Sequence, residues 1–334
     1  MAGTNLPGYR AAQVYDWVHR RGASSFDEMD NLPKNLRREL AEIAFISAAT
    51  IREKNLSPDG TIKYLFGVAN HNIIDGNEVQ IESVLMNYRH GAALCVSTQA
   101  GCAMGCAFCA SGKGGLLRDL SAGEMLAQVL AATKDSALSN ITLMGSGEPL
   151  ANYDNVLKFI RLLNAPEGQG IGQRRITLST CGLTDGILAL AEEKLQITLA
   201  VSLHSADDAF RAQIMPVARA YPLDGLLDAC RVYVKKTGRR VSFEYAMIMG
   251  KNDRADQAAA LAARLSKILC HVNLLPVNAV SDSGKRGLRP SLPGVISAFR
   301  DVLLRRGIET TVRRSLGSGI NAACGQLLAR RGGD

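Results

Sequence analysis

The stretch ALCVSTQAGCAMGCAFCASG, residues 93–112, leads from an apolar strand-like segment into three closely spaced cysteines. Residues 93–98 are the first of six such segments, and the others cover residues 141–145, 175–179, 197–203, 242–248 and 272–277. Helical patterns fill the gaps, as in residues 121–132, where Ser121 and Glu124 form a capping box. This alternation predicts repeated βα units with a parallel sheet. An open doubly wound sheet and a barrel both fit it, and either fold gathers its sites at the carboxyl ends of the strands.

The composition is that of a globular protein. The chain has 334 residues, of which 47% are hydrophobic and 21% charged, and this excludes disordered and fibrous classes. The 39 Lys and Arg residues outnumber the 31 Asp and Glu residues, so the net charge of +8 favours polyanionic partners. No apolar run approaches the ~18 residues that cross a bilayer, and the first ten residues lack a signal-peptide pattern. We therefore expect a cytoplasmic protein with no membrane contact.

The residues before the cysteines have a different pattern of apolar positions. Apolar residues recur at helical spacing in residues 9–21 and 32–43, which predicts short helices. Residues 64–68 and 79–86 then resemble strands. The chain thus begins with a mainly helical region of about 75 residues.

The cysteines Cys102, Cys106 and Cys109 form a C-x3-C-x2-C pattern that can put three thiolates on one loop. Such soft ligands suit an iron–sulfur cluster or zinc. A structural zinc site needs four ligands, and no further Cys or His follows within about 50 residues, although His90 and Cys95 precede the pattern. A cubane held by three thiolates leaves one iron open. S-adenosylmethionine can chelate that iron through its amino and carboxylate groups.

The cysteine pattern, with Phe108 before its last member, resembles the signature of radical S-adenosylmethionine (radical SAM) enzymes. Residues 94–102 and 109–112 are similar to the RlmN/Cfr family of RNA adenine methyltransferases, and the similarity extends from about residue 8 to residue 330. The resemblance implies an α/β fold, a partial (β/α)6 barrel over residues 76–334 that ends in a catalytic-cysteine segment. A helical, RNA-contacting accessory domain over residues 1–75 would precede it.

The resemblance also implies the cofactors and their ligands. Cys102, Cys106 and Cys109 would hold one 4Fe-4S cluster, and each turnover would use two S-adenosylmethionine molecules. In residues 145–149, GSGEP, Gly147 and Glu148 would bind the amino group of this cosubstrate, although the family usually has Met at position 146 and a tight turn is the simpler interpretation. The further implied cosubstrate ligands are Ser179, Ser202, Leu203, His204 and Asn278. Taken singly, these could also be cap, turn or interior residues.

Two more cysteines have implied roles. Gly317, Gly319 and Gly325 surround Cys324 and predict a flexible segment that leaves its thiol accessible. By resemblance, Cys324 becomes methylated and Cys95 later forms a disulfide with it. The remaining cysteines, Cys181, Cys230 and Cys270, are predicted to be inert buried residues.

Glu82 matches the glutamate proposed as the proton acceptor in the family. Strand alternation would place it on the same face as Val84 and Met86, which favours a recessed carboxylate. The alternative is a solvated carboxylate on the face of a strand.

The resemblance implies methylation of carbon 2 of adenine in 23S ribosomal RNA, and also in transfer RNA, as in the RlmN branch. Carbon 2 is not nucleophilic, so a radical route is needed. Cfr-type methylation of carbon 8 is one alternative, and a zinc-stabilised RNA-binding protein is another. An electron donor such as flavodoxin or ferredoxin and a monomeric state are further expectations. The basic clusters that could follow an RNA backbone are His19 to Arg21, Lys34 with Arg37 and Arg38, Lys235 and Lys236 with Arg239 and Arg240, Lys285 and Arg286 with Arg289, and Arg313 with Arg314.

Overall fold

The computed structural model describes residues 7–69, 78–278, 288–314 and 316–331. The basic residues Lys285 and Arg286 and the predicted domain boundary at residue 75 lie outside these ranges. The helices are α1 (Gly8–Asp16), α2 (Lys34–Ile43), α3 (Ala122–Ala132), α4 (Tyr153–Asn164), α5 (Thr184–Glu192), α6 (Asp208–Ile214), α7 (Leu223–Thr237), α8 (Ala255–Leu265) and α9 (Pro293–Arg305). The strands are β1 (Ala49–Leu56), β2 (Ile62–Val68), β3 (Val79–Tyr88), β4 (Gly91–Cys95), β5 (Gln99–Gly101), β6 (Leu116–Asp119), β7 (Leu138–Leu143), β8 (Ile176–Thr180), β9 (Thr198–Ser202), β10 (Val241–Met247), β11 (Cys270–Pro276), β12 (Thr310–Val312) and β13 (Ala329–Arg331).

All six predicted core strands are confirmed, as β4 and β7 to β11. They lie side by side in chain order, and all the pairs that they form with one another are parallel. A doubly wound sheet reverses its strand order at a switch point, and the described strands from β4 to β12 show no reversal. The order therefore favours the barrel arrangement. Among the described residues the end strands β1 and β12 do not pair with each other, so the barrel is partial.

The α3 prediction is also confirmed at its amino end. The Glu124 N–H donates to the Ser121 hydroxyl at 3.3 Å, and the Ser121 N–H donates to the Glu124 carboxylate at 2.7 Å. This capping box satisfies N–H groups that have no partner within the helix. The buried face of α3 then packs into the main hydrophobic core beside the sheet.

The two predicted amino-terminal helices are present and have a small core of their own. Val14, Phe26, Met29, Leu36 and Leu40 form a hydrophobic cluster separate from that of the sheet. After α1 the chain continues as a short π-helix, Trp17–Arg21. The helical region ends earlier than predicted, because β1 and β2 join the large sheet through antiparallel pairing.

Strand β1 is absent from the sequence prediction for a physical reason. Its residues, ATIREKNL, are mostly charged or polar and mostly exposed. An edge strand with one free side needs little apolar alternation, and charged residues on it discourage further pairing. The short strands β12 and β13 were likewise not predicted.

Two features place functional segments beside the barrel. Strands β5 and β6 form a separate antiparallel pair that frames the loop of the three cysteines. Strand β13 adds the carboxyl-terminal segment to β3. None of the helices in the described residues is long and apolar enough to cross a membrane.

Candidate active site

A cavity that is open to solvent lies at the carboxyl ends of the parallel strands. This edge is where α/β folds hold their ligands. Ten of the predicted site residues line the cavity, namely Cys102, Cys106, Cys109, Gly147, Glu148, Ser179, Ser202, His204, Asn278 and Cys324. Residues far apart in the sequence are thus brought to one place.

Backbone hydrogen bonds shape the cysteine loop. The Cys102 N–H donates to the Gly115 carbonyl at 2.9 Å, which closes the loop at its base. The Cys109 N–H donates to the Cys106 carbonyl at 3.1 Å, so these two cysteines lie on one turn. The loop is tied to the barrel by the Ala107 N–H, which donates to the Ile214 carbonyl at 2.8 Å.

The three thiols fit an iron–sulfur cluster. Burial raises the pKa of Cys102 to about 11, and burial together with the neighbouring Cys109 also raises the pKa of Cys106. Their thiolates therefore need a cation nearby, which iron would supply. In the described part of the chain, no three His, Cys, Asp or Glu side chains converge as ligands of a single ion. A cubane needs no such convergence, because each thiolate binds a different iron atom.

The GSGEP turn holds a buried carboxylate on the cavity wall. The two oxygens of Glu148 accept hydrogen bonds from the N–H groups of Cys181, at 2.7 Å, and Leu150, at 3.1 Å. These donors are neutral, and burial raises the pKa of Glu148. A ligand ammonium group would compensate such a carboxylate well. Gly147 is required here, because its φ is +109° and a Cβ would lie 2.6 Å from that of Gln99.

His204 is held as a neutral imidazole. The Ala246 N–H donates to His204 Nδ1 at 2.9 Å, so the proton of the ring is on Nε2. Burial, and secondarily Arg211, lowers the pKa of His204 to about 3. The ring of Phe108 packs edge-on against the imidazole with 4.7 Å between centroids. This contact links the cysteine loop to the end of β9.

The other predicted cosubstrate residues take different positions. Ser179 and Ser202 lie at the carboxyl ends of β8 and β9, and Asn278 follows β11. All three line the cavity. Leu203 lies between Ser202 and His204, but its side chain is buried in the main core rather than on the wall. Its backbone is also engaged, because the Leu203 N–H donates to the Glu244 carbonyl at 3.0 Å and the Leu203 carbonyl accepts a hydrogen bond from the Arg211 guanidinium at 3.3 Å.

A second, smaller cavity adjoins the first and contains the Cys95 thiol. Cys95 and Cys324 both line it, and Cys324 lines the first cavity as well. Both thiols are free, and Cys95 lies opposite Val84 in the register of β3 and β4. Burial, and to a lesser extent the neighbouring Cys324, raises the pKa of Cys95 to about 12. The Cys324 side chain is exposed where the two cavities meet. Desolvation by the surrounding protein raises the pKa of its thiol too.

The segment that carries Cys324 is docked, whereas the sequence predicted a flexible one. Its Gly325 carbonyl accepts a hydrogen bond from the Ala110 N–H at 2.7 Å. Its Leu327 carbonyl accepts one from the Ser111 hydroxyl at 2.8 Å. The glycines serve tight turns, since Gly317 and Gly325 have φ values of +66° and +81°. Cys324 is nevertheless accessible, as predicted.

Glu82 is recessed, as predicted, but it lines neither cavity. Its side chain is mostly buried on β3. One carboxylate oxygen is 3.0 Å from the ammonium group of Lys63, and the other accepts a hydrogen bond from the Leu328 N–H at 2.8 Å. The carboxylate therefore binds the docked segment, and strand alternation puts it on the sheet face that also carries Cys95.

Sequence reasoning missed an ion pair at the boundary of the two cavities. Arg313 lines both of them and lies 3.5 Å from the buried carboxylate of Glu244, which Asn273 also binds at 2.8 Å. Burial acts against the charge of Arg313, but the charges of Cys324 and Glu244 outweigh it and raise the pKa of Arg313. The sequence predicted Arg313 only as part of a basic surface cluster. A glutamate within the buried strand β10 is the signal that could have revealed the pair.

Comparisons with known proteins agree with this geometry. A model of the radical SAM superfamily matches residues 96–262, and a model of the ribosomal RNA large subunit methyltransferase N-terminal domain matches residues 3–46. The probable dual-specificity RNA methyltransferase RlmN of Alkaliphilus oremlandii is 51% identical, over 96% of this chain and 91% of its own. The protein of that name from Clostridium tetani is 49% identical, over 96% and 90%.

A solved structure extends the similarity to three dimensions. The crystal structure of a radical SAM methyltransferase from Sphaerobacter thermophilus matches with a TM-score of 0.89 and 44% identity, over 98% of this chain and 94% of that one. The chain therefore belongs to the RlmN family of radical SAM RNA methyltransferases.

Proposed function

We propose that the protein methylates carbon 2 of an adenine in 23S ribosomal RNA, and also in transfer RNA, with a methyl group carried on Cys324. The observation that carries the proposal is the position of Cys324 on the common wall of two cavities. One cavity holds the three clustered cysteines and the other holds Cys95. Membership in the RlmN family leaves no support for the zinc-stabilised RNA-binding protein.

The target atom explains why a thiol must carry the methyl group. Carbon 2 of adenine is electrophilic, so direct polar transfer of a methyl cation to it is unfavourable. When bound, the 4Fe-4S cluster and two S-adenosylmethionine molecules supply the methyl group and an organic radical that activates it. Cys324 accepts the methyl group on sulfur. Loss of one hydrogen atom from that group gives a carbon-centred radical, which can add to the electrophilic ring carbon.

The residues of the first cavity hold the cluster and bind the cosubstrate. Cys102, Cys106 and Cys109 hold the cluster. Glu148 accepts hydrogen bonds from the amino group of S-adenosylmethionine, which its buried, neutral surroundings favour. Gly147, Ser179, Ser202, His204 and Asn278, which line the cavity, complete the cosubstrate site together with Leu203.

Release of the product needs the second cavity. After the methylene carbon bonds to the ring, Glu82 takes the proton from carbon 2. The Cys95 thiolate then attacks the sulfur of Cys324, which breaks the bond between sulfur and the methylene carbon and leaves a Cys95–Cys324 disulfide. The released carbon keeps the electron pair of that bond and takes up a proton to become the methyl group, and the unpaired electron left by radical addition passes to an oxidised electron carrier of the flavodoxin or ferredoxin class. Both thiols line one cavity, which supports this exchange. An external thiol or dithiol reductant restores the free cysteines.

The RNA and protein partners follow from the same function. The word "dual-specificity" in the names of the relatives supports two RNA classes. The N-terminal helices, with exposed Lys34 and Arg38 on α2, form the RNA-contacting accessory domain ahead of a catalytic core. An electron donor such as flavodoxin or ferredoxin reduces the cluster, and the enzyme works as a cytoplasmic monomer.

The proposal is tested by replacing Cys324 in the reconstituted enzyme. A Cys324→Ala variant, given RNA, S-adenosylmethionine and a reductant, should form no methylated adenine. The matched control is Cys270→Ala, because Cys270 is a buried cysteine at the opposite, amino end of β11. Product from the Cys324 variant at the rate of the control would overturn the proposal.

A further inference from the structure

Lys63 lies on the same face of the sheet as the reactive groups. It stands opposite Val84 in the register of β2 and β3, and Val84 stands opposite Cys95 in the register of β3 and β4. Residues in direct register share one face of a sheet. Glu82 is two residues from Val84 on β3, so it also lies on this face, as the diagonal neighbour of Lys63. The row places a lysine, a carboxylate and a thiol on one surface.

The Lys63–Glu82 pair is nearly buried. The side chains are only 12% and 10% exposed, and the ammonium nitrogen lies 3.0 Å from one carboxylate oxygen. Most other lysine and arginine pairs with carboxylates in the described chain are much more exposed. Two mostly buried charges require good geometry to offset the loss of hydration. Lys63 therefore fixes one oxygen of Glu82 and leaves the other to face the carboxyl-terminal segment.

The second oxygen of Glu82 is the one that the docked segment uses. It accepts the Leu328 N–H at 2.8 Å, directly before β13 begins to pair with β3. Ala322 and Leu327 of the same segment pack against Val84 and Cys95. A change in the hydrogen bonding of Glu82 is thus linked to the position of the segment that carries Cys324.

We propose that Lys63 is a positioning residue, which holds Glu82 so that its second oxygen exchanges the Leu328 N–H for the proton that leaves the adenine ring. This inference rests on the proposed function and adds a residue to it. In the step, the carbon 2 to hydrogen bond breaks, the proton passes to the Glu82 oxygen, and the electron pair stays with the ring. Loss of the Leu328 hydrogen bond loosens the Cys324 segment at the stage when Cys324 must meet Cys95.

The experiment separates the two halves of the reaction. Lys63→Met should leave methylation of Cys324 in the holoenzyme, measured by mass spectrometry without RNA, within about twofold of the unaltered protein. It should slow formation of methylated adenine at least tenfold and accumulate RNA covalently bound to protein. Lys63→Arg should restore most of the product. The matched control is Lys54→Met, because Lys54 pairs with Asp135 on the exposed edge strand β1.

A double variant distinguishes positioning from a structural role. If Lys63 acts through Glu82, adding Lys63→Met to Glu82→Gln should cause no further loss of methylated adenine. The single and double variants should accumulate the same covalent species of RNA and protein. Hydrogen exchange at residues 325–331 without RNA should be about tenfold faster in Glu82→Gln, since the Leu328 N–H loses a charged acceptor. Product at the normal rate in Lys63→Met, or additive losses in the double variant, would overturn the inference. Absence of methylated adenine from the unaltered enzyme would instead reject the proposed function.

Discussion

The backbone N–H of Ala110 donates a hydrogen bond to the carbonyl of Gly325 at 2.7 Å. Ala110 directly follows Cys109, and Gly325 directly follows Cys324, so this bond joins the cysteine loop to the segment that carries the Cys324 thiol. Two chain regions more than two hundred residues apart are thereby held in register beside one cavity.

Gly325→Ala should disturb this junction. Gly325 has a φ of +81°, and a Cβ would lie 3.0 Å from the Phe108 carbonyl oxygen. Strain of about 1–2 kcal/mol against the docked segment should slow Cys324 methylation roughly tenfold, as followed by mass spectrometry of the intact protein. Gly319→Ala is the control, because a Cβ there would meet nothing within 4 Å. Equal rates for the two variants would show that docking is not needed.

Glu148→Gln should weaken binding of S-adenosylmethionine. The amide has one oxygen where the carboxylate has two, and it carries no charge to attract an ammonium group. A charge-assisted hydrogen bond contributes about 1.5–3 kcal/mol, so the dissociation constant should rise roughly 10- to 100-fold in equilibrium dialysis. Glu193→Gln, which alters a surface ion pair with Arg161, should bind normally. An unchanged constant for Glu148→Gln would remove this residue from the cosubstrate site.

The stability of the protein should depend on His204 in acid. The pKa of His204 is lowered by burial to about 3 from an ordinary 6.5. The contribution of the neutral imidazole to the free energy of unfolding is therefore complete above pH 6.5 and is lost as the pH falls toward 3. Within this window the loss approaches about 1.4 kcal/mol per pH unit. His204→Asn keeps an acceptor for the Ala246 N–H but does not titrate. Urea unfolding between pH 6.5 and 4 should therefore show a shallower pH dependence in this variant; parallel curves would contradict the buried, neutral imidazole.

RNA binding should depend on the exposed cations of α2. If Arg38 neutralises one phosphate, Arg38→Ala should lower the slope of log affinity against log salt by about one. Arg161→Ala should leave the slope unchanged, since its partner is Glu193. Filter binding of an RNA fragment from 50 to 200 mM salt measures both. A normal slope for Arg38→Ala would exclude α2 from the phosphate contacts.

The sequence predicted the barrel strands well because they are mostly apolar and mostly buried. Runs such as those in β9 and β10 contain only a few polar residues, and their spacing by helices left few other arrangements. The choice between a barrel and a doubly wound sheet needed the strand order, which no local pattern contains. Strand β1 was missed since its residues are mostly charged and exposed.

The sequence predicted those site residues that lie close together along the chain, but not those that only the fold brings together. Cys102, Cys106 and Cys109 lie close in sequence, so their spacing alone revealed them. Lys63 and Arg313 contact carboxylates on other strands. These contacts depend on the register of β2 with β3 and on the position of Arg313 between the two cavities, and neither can be read from the sequence. The docking of the Cys324 segment was also hidden, because glycines in tight turns look like flexible linkers in a sequence.

The proposed chemistry delivers a methyl group from Cys324 to carbon 2 of adenine. The most direct test is mass spectrometry of nuclease-digested RNA after reaction with the reconstituted enzyme, with 2-methyladenosine and 8-methyladenosine as standards. We expect 2-methyladenosine that carries the label of a methyl group placed on Cys324 beforehand. Formation of 8-methyladenosine, or of 2-methyladenosine without that label, would contradict it.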